Sequence, residues 1–340
     1  MAADVLIGLD IGSTCIRAVQ GGRGKTTPTV THFGVAPLPA GAVQAGFIYD
    51  GKAVTAAVRQ LWSATKLKAR HVVVGITNPQ IVVRPMSVSN LPAREMRSSL
   101  PFQVRDALPL AVEKSLLDFQ PLEDPGKEKT VRGLLVAAPK EPVIATVHAI
   151  EQAGLHVARV DVASLALLRS VSRLDGQVEA IVDIGAQATT VVVHADGEPL
   201  IVRTVPRGGS DITEKIATRL GANVEEAESL KCRVGLRAEE GPETADVIRE
   251  AIRPLLGEVR SSFAYVTSGE RHTRVARLVL SGGSAGMPGL APYLAAELGV
   301  EVIPADPSVR VRDLRGGRRG RVEPLQSSAS ISVGLTLRAA

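Results

Sequence analysis

The sequence predicts an α/β protein built from two similar halves, the first of which carries a smaller inserted unit. Three observations lead there. Apolar runs of strand length alternate with segments of helical periodicity along the chain. A pattern of apolar strand, D-I-G, small or hydroxyl residues, apolar strand, turn and strand occurs twice, over the first 35 residues and again over 178–206. Between the copies, from Gln80 to Val160, the order becomes β-α-β-β-α-β, a split βαβ arrangement that reads as a compact unit of its own. The 340 residues, 45% hydrophobic and 22% charged, suffice for two or more domains with ample core.

Taken in order, DVLIGLDIGSTCIRAVQ gives a strand over 4–9, a tight turn at 10–13 and a second strand over 14–20. The polar turn GGRGKTT precedes a third strand near 29–35. In GKAVTAAVRQLWSATK (51–66), Val54, Val58, Leu61 and Trp62 share one helical face, and HVVVGI (71–76) is a buried strand. Within the insert, IVVRPMSV is a strand and LPAREMRSSLPFQVRDAL a helix opened by Pro92 and kinked at Pro101. SLLDFQPL and VRGLLVAA are strands around the turn EDPGKEK, KEPVIATVHAIEQAG is a helix with a glycine stop, and HVARV closes the unit. The helix VASLALLRSV leads into the second D-I-G copy, whose hairpin turns at Asp196–Gly197. Helices are expected near 209–220, 223–234 and 243–268, then the strand RLVLSGG, the helix MPGLAPYLAAEL, an Arg-rich loop at 310–321 and a last apolar segment, ASISVGLTL. The resulting partition is 1–79 with 161–177 for the first half and 80–160 for the insert. The second half takes 178–210 with 276–340, and 211–275 forms a helical unit.

Composition excludes several classes. Lys plus Arg is 40 and Asp plus Glu 35, a net charge of +5, with a pI near 9.4. Residues 1–160 hold 18 basic and 12 acidic side chains against 22 and 23 in 161–340, so the surplus lies in the first half. Nine aromatic residues, thinly spread, argue against base-stacking sheets, and no nucleic-acid partner is expected. Cys15 and Cys232 offer neither a disulfide framework nor metal spacing, which suits a reducing compartment. The six histidines show no ligand spacing either. No secretory signal opens the chain, and the long uncharged run Leu278–Ala296 contains SGG and GMPG and so reads as strand, turn and helix rather than a membrane span. A cytoplasmic protein is expected.

The chemistry resides in the two D-I-G turns, Asp10–Gly12 and Asp183–Gly185. A glycine in such a hairpin lets backbone N–H groups face outward, where, with Ser13 and Thr14 in one copy and Thr189 and Thr190 in the other, they can grip phosphate oxygens. The aspartates would face each other across a gap and form a natural Mg²⁺ site, through waters because Mg²⁺ dehydrates reluctantly. Gly282 and Gly283, with Ser284, follow a buried strand and precede a helix, where flat backbone can pack against a nucleoside. Glu228 and Lys231 lie three apart on one helical face and could reach a ribose and an adenine edge, or simply pair with each other. The order lacks the Rossmann G-x-G-x-x-G and the P-loop lysine.

These elements in this order resemble the actin-like ATPase superfamily, and within it the PilM family of type IV pilus assembly, itself similar to the division protein FtsA. The resemblance rests on GLDIGST at 8–14, the PLPAGAV…G region at 37–46, IVVRPMSVSNLP at 81–92, LDFQ at 117–120, VAAPKE at 136–141 and AGLHVARVDVASLALLRS at 153–170. VDIGAQATTVVVHADGEPLIVRTVPRGG at 182–209, EEAESLK, LVLSGGSAGMPGL and SVGLTLRA complete it. It implies an actin-like fold of two ribonuclease-H-like halves and a cleft that binds ATP or ADP with Mg²⁺. Asp10, Gly12, Ser13 and Thr14 map to the first phosphate motif and Asp183, Gly185, Gln187 and Thr189 to the second. Glu228 and Lys231 map to the ribose and adenine contact, and Gly282, Gly283 and Ser284 to the adenosine motif. Asp10 and Asp183 would hold Mg²⁺ through water. No general base stands out, since Gln187 can orient a water but not activate it, and slow hydrolysis is expected. FQVRDALP stands where the family carries a more acidic segment, with Gln103 and Arg105 at two acidic positions, and Ala186 and Ala188 replace hydroxyl residues common in the second hairpin.

The implied role is a scaffold at the inner face of the plasma membrane that docks the cytoplasmic N-terminal tail of a PilN-like inner-membrane protein. It would also meet other pilus assembly proteins, including the assembly ATPases, with indirect membrane contact and homodimerisation left open. The groove between the insert and the first half is the expected docking place. Two other readings share the fold. A small-molecule kinase needs a catalytic aspartate beside the acceptor hydroxyl, and 178–206 shows no candidate for that role. An FtsA-like division protein ends in an amphipathic anchor, for which SISVGLTLRAA is too short. The six arginines of RVRDLRGGRRGRV read as a solvated loop, with an acidic partner or lipid as the sharper alternative.

Overall fold

Each D-I-G copy folds as a three-stranded antiparallel meander extended on one side by parallel strands. In the computed structural model, which describes residues 6–22, 27–124, 126, 128–269, 273–315 and 325–337, the first meander is β1 (Leu6–Ile11), β2 (Cys15–Gly22) and β3 (Thr29–Pro37). A small hairpin of β4 (Val43–Gln44) and β5 (Phe47–Ile48) follows, then α1 (Gly51–Thr65) and β6 (His71–Ile76), which pairs parallel with β1. The Asp50 carboxylate caps α1 by accepting from the Ala53 N–H at 2.9 Å. Val54, Val58, Leu61 and Trp62 are buried on one face of α1, as their spacing predicts, against Leu9, Ile16 and Val72 of the sheet.

The stretch that reads as an insert has the predicted element order: β7 (Val82–Ser89), α2 (Ala93–Val104), β8 (Ser115–Pro121), β9 (Thr130–Pro139), α3 (Lys140–Gln152) and β10 (His156–Val162). The expectation that all six form one self-contained unit requires correction. Only β7, β9 and β8 share a sheet, in that order, whereas β10 pairs parallel with β6 at the edge of the first sheet. Its crossover helix α3 buries Ala149 and Ile150 in the same core as Leu61. A parallel strand needs a covering crossover helix, and periodicity alone does not say which sheet edge the pair will choose.

In the second half α4 (Ala163–Val171) leads to β11 (Val178–Ile184), β12 (Thr189–Ala195) and β13 (Glu198–Val205). The helices α5 (Gly209–Leu220), α6 (Val224–Arg233) and α7 (Pro242–Ser268) follow, then β14 (Arg277–Ser281), α8 (Leu290–Leu298), β15 (Glu301–Pro304), β16 (Arg312–Asp313) and α9 (Ser330–Thr336). The sheet order is β13-β12-β11-β14-β15, and the first sheet reads β10-β6-β1-β2-β3-β16. The partition that gave 276–340 to the second half is therefore corrected at its end. β16 pairs with β3, and α9 packs on β1, β2 and β6. Close approach makes this possible: a Cβ on Gly8 would lie 2.1 Å from the Ser332 carbonyl, and one on Gly334 1.8 Å from that of Ala166. With α4, which packs on Ile181, Val192 and Val279, α9 fills the space between the two sheets.

Two further contacts frame the site. The insert leans on the second half, with Val83 and Leu134 against Val202 and Arg132 ion-paired to Glu198. At the end of the second sheet where β11 begins, Glu179 is fully buried and accepts from Arg277 Nε (2.6 Å), the Arg173 N–H (3.1 Å) and His194 Nε2 (3.1 Å). The Gly197 N–H donates to His194 Nδ1, which assigns the imidazole proton to Nε2, facing the carboxylate. Burial opposes the Glu179 charge, but hydrogen bonds from His194 and Arg277 outweigh it and hold its pKa below the ordinary value.

Candidate functional site

The carboxyl ends of β1 and β11 point at one another across a cleft of about 440 Å³ between the halves. The two D-I-G turns have the same backbone geometry. The Gly12 N–H donates to the Cys15 carbonyl and the Gly185 N–H to that of Ala188, each at 3.0 Å. Asp10 faces Arg17 in the β1–β2 register, and Asp183 faces Thr190 in the β11–β12 register. The sequence repeat is therefore a structural repeat whose two loops close on one space.

Electrostatics single out the two aspartates. Burial raises the pKa of Asp10, against the pull of Arg17, whose Nη1 lies 3.9 Å from Oδ2. Burial pushes Asp183 up to about 6, with the Asp10 charge adding to the rise while a hydrogen bond from Ser281 and the Arg17 charge oppose it. Two carboxylates that disfavour each other's ionisation form a place for a cation. Among the described residues no group of three or more His, Cys, Asp or Glu side chains could enclose a metal ion. Mg²⁺ held by waters, phosphate oxygens and Asp10 with Asp183 fits this donor set, because that ion keeps most of its hydration.

Most of the predicted residues meet in the cleft: Asp10, Gly12, Ser13, Thr14, Asp183, Gly185, Gln187, Glu228, Lys231, Gly282, Gly283 and Ser284 all line it. Thr189 does not. Its hydroxyl is buried and donates to the Arg207 carbonyl at 2.8 Å, which ties the hairpin to the turn before α5. Strand alternation gives the cleft to Thr190 instead, beside Asp183. Gly282 and Gly283 also divide their work. Gly282 sits at φ 96 with a virtual Cβ 2.4 Å from the Ile184 carbonyl, so it seats the loop on β11, while Gly283 has nothing within 4 Å and leaves open room.

Lys231 lines the cleft and is also tied within the protein. It is buried, and its ammonium donates to the Gly209 carbonyl (3.1 Å), Thr213 Oγ1 (2.9 Å) and Glu228 Oε2 (2.7 Å), which occupies all three N–H groups. Burial opposes the Glu228 carboxylate, but hydrogen bonds from Lys231 and Thr213 prevail and lower its pKa. The pair fastens α6 to the start of α5 and leaves the exposed side of Glu228 toward the cleft. Sequence reasoning missed Arg17, Thr77, Gly209 and Ser210, which also line it. Arg17 was legible as the residue opposite Asp10 in an ideal hairpin. Gly209 and Ser210 were not, because the Gly209 and Ser210 N–H groups reach the site by binding the Gly185 (2.9 Å) and Ala186 (2.8 Å) carbonyls.

Of the Arg-rich loop at 310–321, residues 316–321 lie outside the described residues. Arg310 donates to the Ser172 carbonyl at 2.7 Å, and Arg315 pairs with Asp313 and lies 5.8 Å from the Phe33 ring centroid. Comparison with known proteins fits this site. The profile of the family described as type IV pilus assembly protein PilM matches residues 8–340.

The chain belongs to the PilM family.

Relatives lie in the FtsA branch. Cell division protein FtsA of Bacillus subtilis (strain 168) is 23% identical over 258 residues, 68% of this chain and 58% of that protein. FtsA of Streptococcus pneumoniae is 26% identical over 256 residues, 67% and 55%. The chain thus spans a little over half the length of these two division proteins. Among solved structures, a PilM–PilN type IV pilus biogenesis complex covers 97% of both chains with a TM-score of 0.84 and 26% identity. EutJ of Carboxydothermus hydrogenoformans, with a TM-score of 0.59 and 17% identity over 97% and 88% of the two chains, shares the actin-like fold. So does MreB5 of Spiroplasma citri bound to ADP, with a TM-score of 0.53 and 13% identity over 97% and 94%. Membership makes this an actin-like protein of type IV pilus assembly. Among the described residues no helix is long and apolar enough to cross a membrane.

Proposed function

We propose that this chain is a nucleotide-dependent scaffold that binds ATP or ADP with Mg²⁺ between its two hairpins and docks the cytoplasmic N-terminal peptide of a PilN-like inner-membrane protein. The observation that carries the nucleotide reading is the pair of matched glycine turns, each led by an aspartate of raised pKa, buried at Asp10 and half-buried at Asp183, and opened on one cleft. Backbone N–H groups and Thr14 and Thr190 take the phosphates, Gly283 offers room to the nucleoside, and Asp10 and Asp183 face the hydrated metal ion. Mg²⁺ would supply charge neutralisation at the phosphates. With Asp10 and Asp183 given to the metal ion, Gln187 can orient a water but is too weak a base to activate it, which supports slow turnover and a structural role for nucleotide.

A second concavity of about 500 Å³ lies where the insert meets the first half. Its walls come from Phe47, Ile48, Tyr49, Leu110 and Pro139, with Lys114 at the rim, and Tyr49 is 69% exposed. Apolar walls with a basic rim suit an extended peptide with apolar anchors, and the similarity to a chain solved with PilN supports that occupant. The scaffold would then sit at the inner face of the membrane through its partner. Asp10→Ala should abolish Mg²⁺-dependent ATP binding in calorimetry while circular dichroism stays native; undiminished binding by the folded variant would overturn the cleft assignment. Removing 80–160 is not a usable test of docking, because α3 and β10 belong to the first core.

A further inference from the structure

The β4–β5 hairpin reaches both concavities, and we propose that it couples nucleotide in the cleft to peptide in the groove. This inference rests on the reading above for what fills each place.

Its tip is held from both halves. Ala45 and Gly46 both have positive φ, 46 and 86, a two-residue turn with an alanine in a region that residues with side chains rarely adopt. Gly46 lies flat on the end of the β6 segment, where a Cβ would sit 1.4 Å from the Thr77 carbonyl. The Ala45 N–H donates to Gln187 Oε1 at 3.3 Å, so the tip in the first half is bonded to the second D-I-G turn. At the entry to the hairpin, the Leu38 N–H donates to the Thr14 carbonyl at 2.8 Å, in the first D-I-G turn. The segment 38–46 thus touches the proposed phosphate loops on both sides of the cleft.

Its other strand belongs to the groove. Phe47, Ile48 and Tyr49 supply one wall there. Between tip and wall, Val43 is buried, and Ile48, Ile76 and Val143 line the same small gap, about 10 Å³ in volume. Two-residue strands tied at both ends leave little slack, so a shift of the D-I-G turns moves the wall. Nucleotide that draws the halves together fixes the Ala45–Gln187 contact and preorganises the wall for peptide. By linkage the peptide favours the closed cleft to the same degree. This makes Gln187 a positioning residue, with its amide oxygen turned to the hairpin.

The test is a binding cycle on the full chain. A fluorescein-labelled synthetic peptide with the sequence of the cognate PilN-like N-terminus is titrated with and without saturating Mg-ATP. Wild type should bind it at least threefold tighter with nucleotide, and Mg-ATP should bind tighter by the same factor with peptide. The ratio should fall to about one in Gln187→Ala and in Gly46→Ala, and hydrogen exchange over 42–49 should slow on adding peptide to wild type alone. Because a ratio is read, a change in either single affinity does not imitate the result. Gln187→Ala sits in a partly exposed turn and keeps the test valid should Gly46→Ala fail to fold. A ratio of one in wild type, or a ratio of three persisting in Gln187→Ala, overturns the coupling. Failure of wild type to bind ATP or peptide at all instead overturns the underlying reading, and the two failures are told apart in the first titration.

Discussion

Replacing Asp183 with asparagine should stabilise the nucleotide-free protein while removing its Mg-nucleotide binding. Burial and the neighbouring Asp10 charge hold Asp183 near 6 instead of the ordinary 3.8. At about 1.4 kcal/mol per pH unit, that span corresponds to roughly 3 kcal/mol of folding free energy at neutral pH. Asp183 keeps a partly accessible edge on the cleft, so solvent screening trims the figure. A gain of about 1–3 kcal/mol remains. The sign follows from linkage. The folded chain binds more protons than the unfolded one between about pH 4 and 6, so wild-type stability falls as pH rises through that window and the full cost stands above about pH 7. Asparagine does not titrate there. Urea unfolding in EDTA at pH 5, 6 and 7.5 should therefore show the variant's advantage growing with pH, and calorimetry at pH 7.5 should show Mg-ATP binding lost. A pH-independent offset, or a variant less stable than wild type at pH 7.5, would refute the electrostatic account of the cleft.

Two further substitutions separate site from scaffold. Thr190→Val should weaken Mg-ATP binding about 5–30-fold with little change in stability, whereas Thr189→Val should cost about 1 kcal/mol in urea unfolding and leave affinity near wild type; the reverse pattern would show the strand faces to be misassigned. Arg277→Met should cost about 3–5 kcal/mol at pH 7, since it strands the buried Glu179 carboxylate, and adding Glu179→Gln should recover part of the loss. The Glu179 contribution in wild type, set by a depressed pKa, is present above the unfolded value and lost as pH falls through the folded one. The Arg277→Met deficit is accordingly read at pH 7 and again near pH 4, where it should shrink.

The D-I-G repeat was legible because a two-residue period and a tight turn are local, and both aspartates and both glycines follow from it; the Gly282–Gly283 loop was legible separately, from a glycine pair between an apolar strand and a helix. Thr189 was misjudged because one step along a strand inverts the face, and the repeat gives the hairpin without its twist. The internal partners of Lys231, the Gly209 carbonyl and Thr213, were not legible because they lie on another helix that no spacing rule brings near. The fate of β10 and α9 was equally hidden. Each is a short apolar segment that fits either half by composition, and only three-dimensional closure decides where it packs.

The return of α9 to the first sheet has a consequence for synthesis. β1 and β2 leave the ribosome within the first 22 residues, yet the helix that covers their inner face ends at residue 336. At about 5–20 residues per second, roughly 300 further residues keep Gly8 and its neighbours without their cover for about 15–60 s. The first half cannot complete its fold during that interval, and the nascent chain waits with an apolar sheet face that chaperones or other nascent chains can reach. Completion of the first half therefore waits for Ser330–Thr336, so a ribosome stalled before residue 330 yields a first half without its inner cover.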